Sequence, residues 1–223
     1  MNRIKQRISE IKSTLPEGTT LVAVSKFHPA EAIMQAYETG HRVFGESRAT
    51  ELVAKASTLP DDIIWHFIGH LQTNKVRPVV AHAGLIQSVD SERLLRCIDS
   101  ESRRIGKVTD ILLQLHVALE ETKYGFLPDE LTELLQSGIL AETPNVRVRG
   151  VMGMASNVDD ERRISLDFRA IRDTFDRIKS LSLPHTESFD TISMGMSDDY
   201  MLAISHGSNM VRIGTTIFGA REY

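Results

Sequence analysis

Eight short apolar runs, each followed by a stretch with helical spacing or by the chain end, constrain this chain more than any other feature. They are "LVAVSK" (21–26), "HRVFGES" (41–47), "WHFIGH" (65–70), "GLIQSVD" (84–90), "DILLQLHVA" (110–118), "VRVRGVMGMAS" (146–156), "TISMGMS" (191–197) and "MVRIGTTIFG" (210–219). Parallel strands need crossover connections of roughly a dozen residues or more, so strict strand–helix alternation argues for a parallel sheet. The segments between carry helix punctuation. Pro29 opens "PAEAIMQAYETG" and Gly40 closes it, Asp90 or Ser91 caps "SERLLRCIDSESRRIG", and Pro78 kinks or shortens "QTNKVRPVVAHA".

Eight such units in 223 residues sit at the compact end of the α/β class known as the (β/α)8 TIM barrel. An open doubly wound sheet would want a glycine-rich fingerprint after its first strand, and "SKFHPAE" contains no glycine. No low-complexity linker divides the chain. The expectation is therefore a single barrel domain over residues 1–223, with an extra N-terminal helix. That helix is "MNRIKQRISEIKSTL" (1–15), whose Ile4, Ile8, Ile11 and Leu15 form one apolar face to lie against the outside or bottom of the barrel.

Charge and composition exclude several classes of function. With 26 basic and 30 acidic side chains the net charge is −4, which gives no general attraction to nucleic acid or anionic membranes. No apolar run approaches the ~20 residues needed to span a bilayer, and the charged N-terminus does not read as a secretory signal. Cys97 is the only cysteine, so no intrachain disulfide forms, and its helical setting marks an inert core thiol. A cytoplasmic location follows as the expectation. His66 and His70 are four apart, but on a strand running to Gly69 that spacing separates them by about 13 Å, so no metal site is expected. Arg147, Arg149, Arg162, Arg163 and Arg169 alternate with acids and read as an ion-pair surface.

In a barrel of this kind the functional site lies at the C-terminal ends of the strands. Residues placed there are Lys26, Glu46, Ser47, Gly69, His70, Asp90, His116, Met154 to Asn157, Met196, Ser197 and Arg212 to Thr215. A lysine in a partly apolar mouth loses solvation, which favours the free amine that forms Schiff bases with aldehydes. Alternation in "MVRIGT" points Arg212 and Gly214 inward and Val211 and Ile213 outward. The Gly214 and Thr215 backbone N–H groups, the Ser197 hydroxyl and a helix opening at Asp198 then surround the place where barrels frequently hold a phosphate. Each feature alone has a plainer account: Lys26 snorkelling to water, Ser197 as an N-cap, Arg212 at the rim paired to Glu46. Together they have one economical explanation in pyridoxal 5′-phosphate, which carries an aldehyde, a pyridine nitrogen and a phosphate.

Across nearly its whole length the chain resembles the YggS-type pyridoxal phosphate homeostasis family, whose barrel is like the N-terminal domain of alanine racemase. The resemblance rests on "AVSKFHP", "VFGESRATEL", "WHFIGHLQTNK", "VRGVMGMAS", "SMGMSDDYMLAISHGSNMVRIGTTIFG" and the terminal "REY". It implies that Lys26 carries the cofactor as a Schiff base, that Ser197 and the Gly214 and Thr215 backbone hold the phosphate, and that Arg212 meets the pyridine nitrogen. Two positions depart from the family pattern: Ser47 replaces the asparagine of "FGEN", and His116 replaces an asparagine common on the fifth strand.

The family resemblance implies cofactor homeostasis without an established reaction, and so no catalytic residue. The expected partners are pyridoxal phosphate itself and the apo-enzymes that use it, with the chain a monomer or weak homodimer. Alanine racemases carry a further β-domain and a tyrosine from a second subunit. With Tyr223 directly after the eighth strand, that domain is expected to be absent, and His70 and His116 are weak second acids. The alternatives are a weak racemase-like enzyme or a cofactor-free aldolase acting through Lys26.

Overall fold

A computed structural model of the chain describes residues 3–120, 124–181, 183–184 and 186–219. Eight parallel strands close into a barrel in the order β1-β2-β3-β4-β5-β6-β7-β8. They are β1 (Thr20–Val24), β2 (Val43–Glu46), β3 (Ile64–Phe67), β4 (Leu85–Val89), β5 (Thr109–Leu115), β6 (Val146–Gly153), β7 (Thr191–Ser193) and β8 (Met210–Ile213). The helices are α1 (Arg3–Thr14), α2 (Ala30–Tyr37), α3 (Ala49–Ala56), α4 (Val76–His82), α5 (Glu92–Arg104), α6 (Pro128–Gln136), α7 (Ile139–Glu142), α8 (Glu161–Lys179), α9 (Tyr200–Ser205) and α10 (Thr215–Phe218). The barrel expected from the alternation is the one found.

Two apolar layers separate along each strand because successive side chains point to opposite faces. Leu21 and Ala23 of β1, Val211 and Ile213 of β8, and Ile111 and Leu113 of β5 belong to the large cluster shared with the helices. Val22, Leu85, Leu112, Met152 and Met210 form a second cluster, which fills the lumen. Val22 pairs with Arg212 across the closing seam, so Arg212 is inward, as alternation predicts.

Helix α1 packs against α2 and α10 on the barrel's outside. The reason is visible at the other end of the chain. Among the described residues after β8 the one helix is the single turn α10, and Ile8 and Ile11 of α1, both buried, help cover that side. Arg7 donates to the Ile217 carbonyl at 3.3 Å, tying α1 to α10.

Local boundaries differ from the sequence expectation at several strand and helix ends. Strand β3 stops at Phe67 rather than Gly69, so His70 lies three residues beyond it. The run 210–219 is not one strand: β8 ends at Ile213 and α10 begins at Thr215. The helix expected to open at Asp198 opens at Tyr200, with Asp199 as its N-cap. Pro78 falls in the first turn of α4, where its missing N–H costs no helical bond, after a 3-10 turn at Thr73–Lys75. Ser91, of the two cap candidates, caps α5 by accepting from the Leu94 N–H at 3.3 Å.

Candidate functional site

Strand β1 delivers Lys26 to the barrel mouth two residues past its end, in phase with the inward Val22. Ser25 before it is fully buried, and its N–H donates to the Gly45 carbonyl at 3.0 Å. Phe27 after it has φ 67°, the only non-glycine residue with positive φ among the described residues. The chain therefore turns sharply at the lysine, which is half-buried.

Arg212 lies inside the barrel with 5% of its surface exposed. One guanidinium nitrogen, Nη1, donates to the Ser193 carbonyl at 2.8 Å and to Ser193 Oγ at 2.7 Å, while Nη2 donates to the Gly153 carbonyl at 2.9 Å. Burial lowers its pKa to about 10, so the charge persists at neutral pH. The rim pairing with Glu46 does not occur. Glu46 bonds instead to Lys55 at 2.7 Å and to Ser25 at 2.6 Å.

A polar chain runs from Arg212 across the lumen. Ser193 Oγ donates to Gln87 Oε1 at 2.7 Å, and Gln87 Nε2 lies 2.9 Å from His66 Nδ1. Burial pushes the His66 imidazole down to about 4, so the ring is neutral. Since an amide nitrogen only donates, His66 Nδ1 accepts and the ring proton sits on Nε2.

The opposite side of the mouth is built by the loops after β7 and β8. The Gly214 N–H donates to Ser197 Oγ at 3.4 Å, which brings the two predicted phosphate contacts together. Thr215 begins α10, so its N–H and that of Thr216 precede the first intrahelical bonds, made by Ile217 and Phe218 to the Gly214 carbonyl. The Ser197 loop is held at its base by Asp199, whose Oδ1 accepts from the Met196 N–H at 2.6 Å. The Arg212 N–H donates to the Gly195 carbonyl at 3.0 Å, coupling this loop to β8. Gly195 has φ 94°, and a Cβ there would stand 2.6 Å from Ala203 Cβ and 2.9 Å from Tyr200 Cα. Ser197 is thus not the N-cap of the next helix but an acceptor at the mouth.

The other residues assigned to the mouth divide. His70 Nδ1 lies 2.9 Å from Asp90 Oδ2, and its ring stacks on Tyr124 at 3.7 Å. His116 offers its backbone N–H to the Phe126 carbonyl at 2.9 Å. Met154, Met196 and Asn157 line a cleft of ≈ 720 Å³ beside the Ser197 loop. Residues 121–123, within the "EETKYGF" connection after β5, and the "REY" terminus lie outside the described residues. His66 and His70 do not share a strand, and among the described residues no group of three or more His, Cys, Asp or Glu is arranged to hold a metal ion. No helix among the described residues is long and apolar enough to cross a membrane. Sequence reasoning missed Ser193, Gln87 and Lys55. Only the inward phase of Ser193 and Gln87 on their strands signals them.

The family model described as the alanine racemase N-terminal domain matches residues 1–222. A pyridoxal phosphate homeostasis protein of Aquifex aeolicus (strain VF5) is 37% identical over 230 residues, spanning 100% of this chain and 97% of its own. One of Escherichia coli (strain K12) is 35% identical over 237 residues, spanning 100% of this chain and 99% of its own. Among solved structures, PipY of Synechococcus elongatus PCC7942 with PLP bound matches at TM-score 0.87 and 35% identity, covering 97% of this chain and 100% of that one. Alanine racemase of Clostridium difficile 630 matches at TM-score 0.75 with 14% identity over 99% of this chain and 57% of its own, a likeness of fold alone. The chain therefore belongs to the alanine racemase N-terminal domain family and, within it, to the pyridoxal phosphate homeostasis proteins.

Proposed function

We propose that this chain binds pyridoxal 5′-phosphate reversibly on Lys26 and serves the supply of that cofactor to other enzymes, without a reaction of its own. The observation that carries the reading is the donor set of one mouth. A half-buried lysine stands just past the end of β1, a buried guanidinium stands on β8, and a hydroxyl meets a backbone N–H where the loops after β7 and β8 converge. These groups match the cofactor's three functional parts in kind. When bound, the cofactor supplies an aldehyde for an amine and a pyridine ring that draws electrons.

Each residue's part follows from its chemistry. Lys26 offers the amine. Ser197 and Thr215 offer donors to a phosphate, which would take over the Gly214 N–H now given to Ser197 Oγ, and the start of α10 adds N–H groups not used within the helix. Arg212 spends three of its five N–H groups on Ser193 and Gly153, leaving donors for a ring nitrogen that accepts. A permanent cation at that position opposes protonation of the ring nitrogen, and an unprotonated ring stabilises carbanions poorly. Arginine there favours holding over turnover.

A single barrel domain over residues 1–223, acting in the cytoplasm as a monomer or weak homodimer and handing the cofactor to apo-enzymes, completes the proposal. The test is an absorbance titration of the purified protein with pyridoxal phosphate, run beside Lys26→Ala. A lysine-dependent band lost in the variant is expected, and absence of that band in the unaltered protein overturns the reading. Amino acids added to the loaded protein then separate holding from turnover: a racemised or transaminated product would establish an enzyme instead.

A further inference from the structure

Helix α3 turns a charged face toward the segment that carries Lys26. Arg48, its N-cap, and Glu51 and Lys55 are spaced i, i+3 and i+7, which puts them on one side of the helix. An exposed face would leave such residues in water, yet here they grip residues 25 to 27. Lys55 Nζ donates to the Ser25 carbonyl at 2.9 Å, to Glu46 Oε1 at 2.7 Å and to Glu51 Oε2 at 3.2 Å. Glu51 Oε2 in turn accepts the Phe27 N–H at 2.8 Å. The Arg48 guanidinium lies over the Phe27 ring at 4.4 Å. Both neighbours of Lys26 are therefore fixed by α3, and the positive φ of Phe27 is held by a charged acceptor on its own N–H.

Three features argue that this arrangement serves the lysine rather than the fold alone. All three N–H groups of the Lys55 ammonium have partners, so its head is fixed in place against the Lys26 segment. Glu46 is fully buried, its other carboxylate oxygen Oε2 accepts no hydrogen bond, and burial outweighs Lys55 and Ser25 to raise its pKa. A buried charged group of this kind is commonly no more stabilising than apolar packing of the same volume. Its position, next to the turn at Phe27, which among the described residues is the one non-glycine residue held at positive φ, gives it a use.

We infer that Lys55 and Glu51 are positioning residues for Lys26: their ion pair sets the turn that aims the Lys26 amine into the mouth. The inference rests on the proposed binding of pyridoxal phosphate and adds residues that the donor set does not include. It makes a specific division. The groups proposed to hold the phosphate and ring stand on β8 and the loops after β7 and β8, whereas the lysine's approach to an aldehyde depends on α3.

The experiment uses the full chain and two probes, pyridoxal phosphate and 4′-deoxypyridoxine 5′-phosphate, which keeps the ring and phosphate but has a methyl group in place of the aldehyde. Adduct formation is read by absorbance and by mass after borohydride reduction, and the second probe by calorimetry. Glu51→Gln keeps the size and an acceptor for the Phe27 N–H, and Lys55→Met keeps the apolar stem. Both are expected to weaken adduct formation about tenfold, the scale of a misaimed reacting group, with the deoxy probe bound as tightly as before. Lys55→Arg, which retains a cation, should recover part of the loss. An equal fall for both probes would mean a structural role only, and adduct formation unchanged in Glu51→Gln would overturn the inference. Should Lys55→Met not fold, Glu51→Gln decides. No adduct in the unaltered protein sinks the cofactor reading itself, an outcome distinct from an adduct that the variants leave unchanged.

Discussion

Gln87→Leu tests whether the polar chain inside the barrel stabilises the fold that presents Arg212. Gln87 is fully buried, Ser193 is fully buried, and His66 is 5% exposed. The substitution preserves size but removes the acceptor of the Ser193 hydroxyl and the donor to His66 Nδ1. Each polar group left buried without a partner costs about 1–3 kcal/mol, giving about 2–6 kcal/mol for the pair. Leucine recovers about 1–2 kcal/mol by placing apolar surface beside Met210, whose sulfur lies 3.2 Å from Gln87 Nε2. The central values, about 4 and about 1.5 kcal/mol, leave a net loss of about 2.5 kcal/mol, which for a chain of this size lowers Tm by roughly 5–10 °C. Denaturant unfolding followed by circular dichroism gives the free energy, and a thermal scan gives Tm. A loss below about 0.5 kcal/mol, the ordinary scatter of neutral substitutions, would refute the reasoning.

Burial pushes His41 and His66 down to about 4 from the ordinary 6.5, so both stay neutral in the fold and take up a proton on unfolding between those values. Stability is then present above pH 6.5, falls as pH drops through the window, and rises with pH across it. In His66→Asn the slope of unfolding free energy against pH should flatten by up to one proton; an unchanged slope would show that His66 does not carry the effect. Ser197→Ala should weaken pyridoxal phosphate binding roughly ten- to a hundredfold, the worth of a hydrogen bond to a charged group, while binding of pyridoxal without phosphate is unaffected. Equal losses for the two ligands would remove Ser197 from the phosphate cup. Gly195→Ala forces a side chain into the left-handed backbone at φ 94° and against Ala203 and Tyr200. It should cost about 1–3 kcal/mol in a denaturant melt and loosen the Ser197 loop, and a neutral effect on stability would contradict the described turn.

The barrel was legible because parallel strands impose crossovers, and eight alternations leave few other ways to bury both faces. Arg212 could be placed inward from strand alternation alone. The strand ends were less legible. "IGTTIFG" is rich in β-branched residues and reads as strand, but Gly214 breaks the extended run and Thr215 starts a helical turn. The strand after Ile64 reads on through Ile68 and Gly69, yet it ends at Phe67. The lumen network was out of reach because its partners are far apart in sequence: Ser193 and Gln87 are 106 residues apart, and neither sits in a motif. Lys55 was hidden for a different reason. A lysine on a short amphipathic helix ordinarily faces water, and only the fold shows it bonded to the Ser25 carbonyl and to Glu46. The plainer account of Arg212, a rim pairing with Glu46, is set aside because Glu46 bonds to Lys55 and Ser25 and Arg212 lies inside the barrel.

The central claim is that Lys26, and no other lysine, receives the aldehyde of pyridoxal phosphate. Borohydride reduction of the protein loaded with one equivalent of pyridoxal phosphate, followed by proteolysis and peptide mass mapping, tests it directly. The account predicts a single modified peptide, with the mass increment on Lys26. An increment on Lys55, on a surface lysine, or spread over several positions would contradict it.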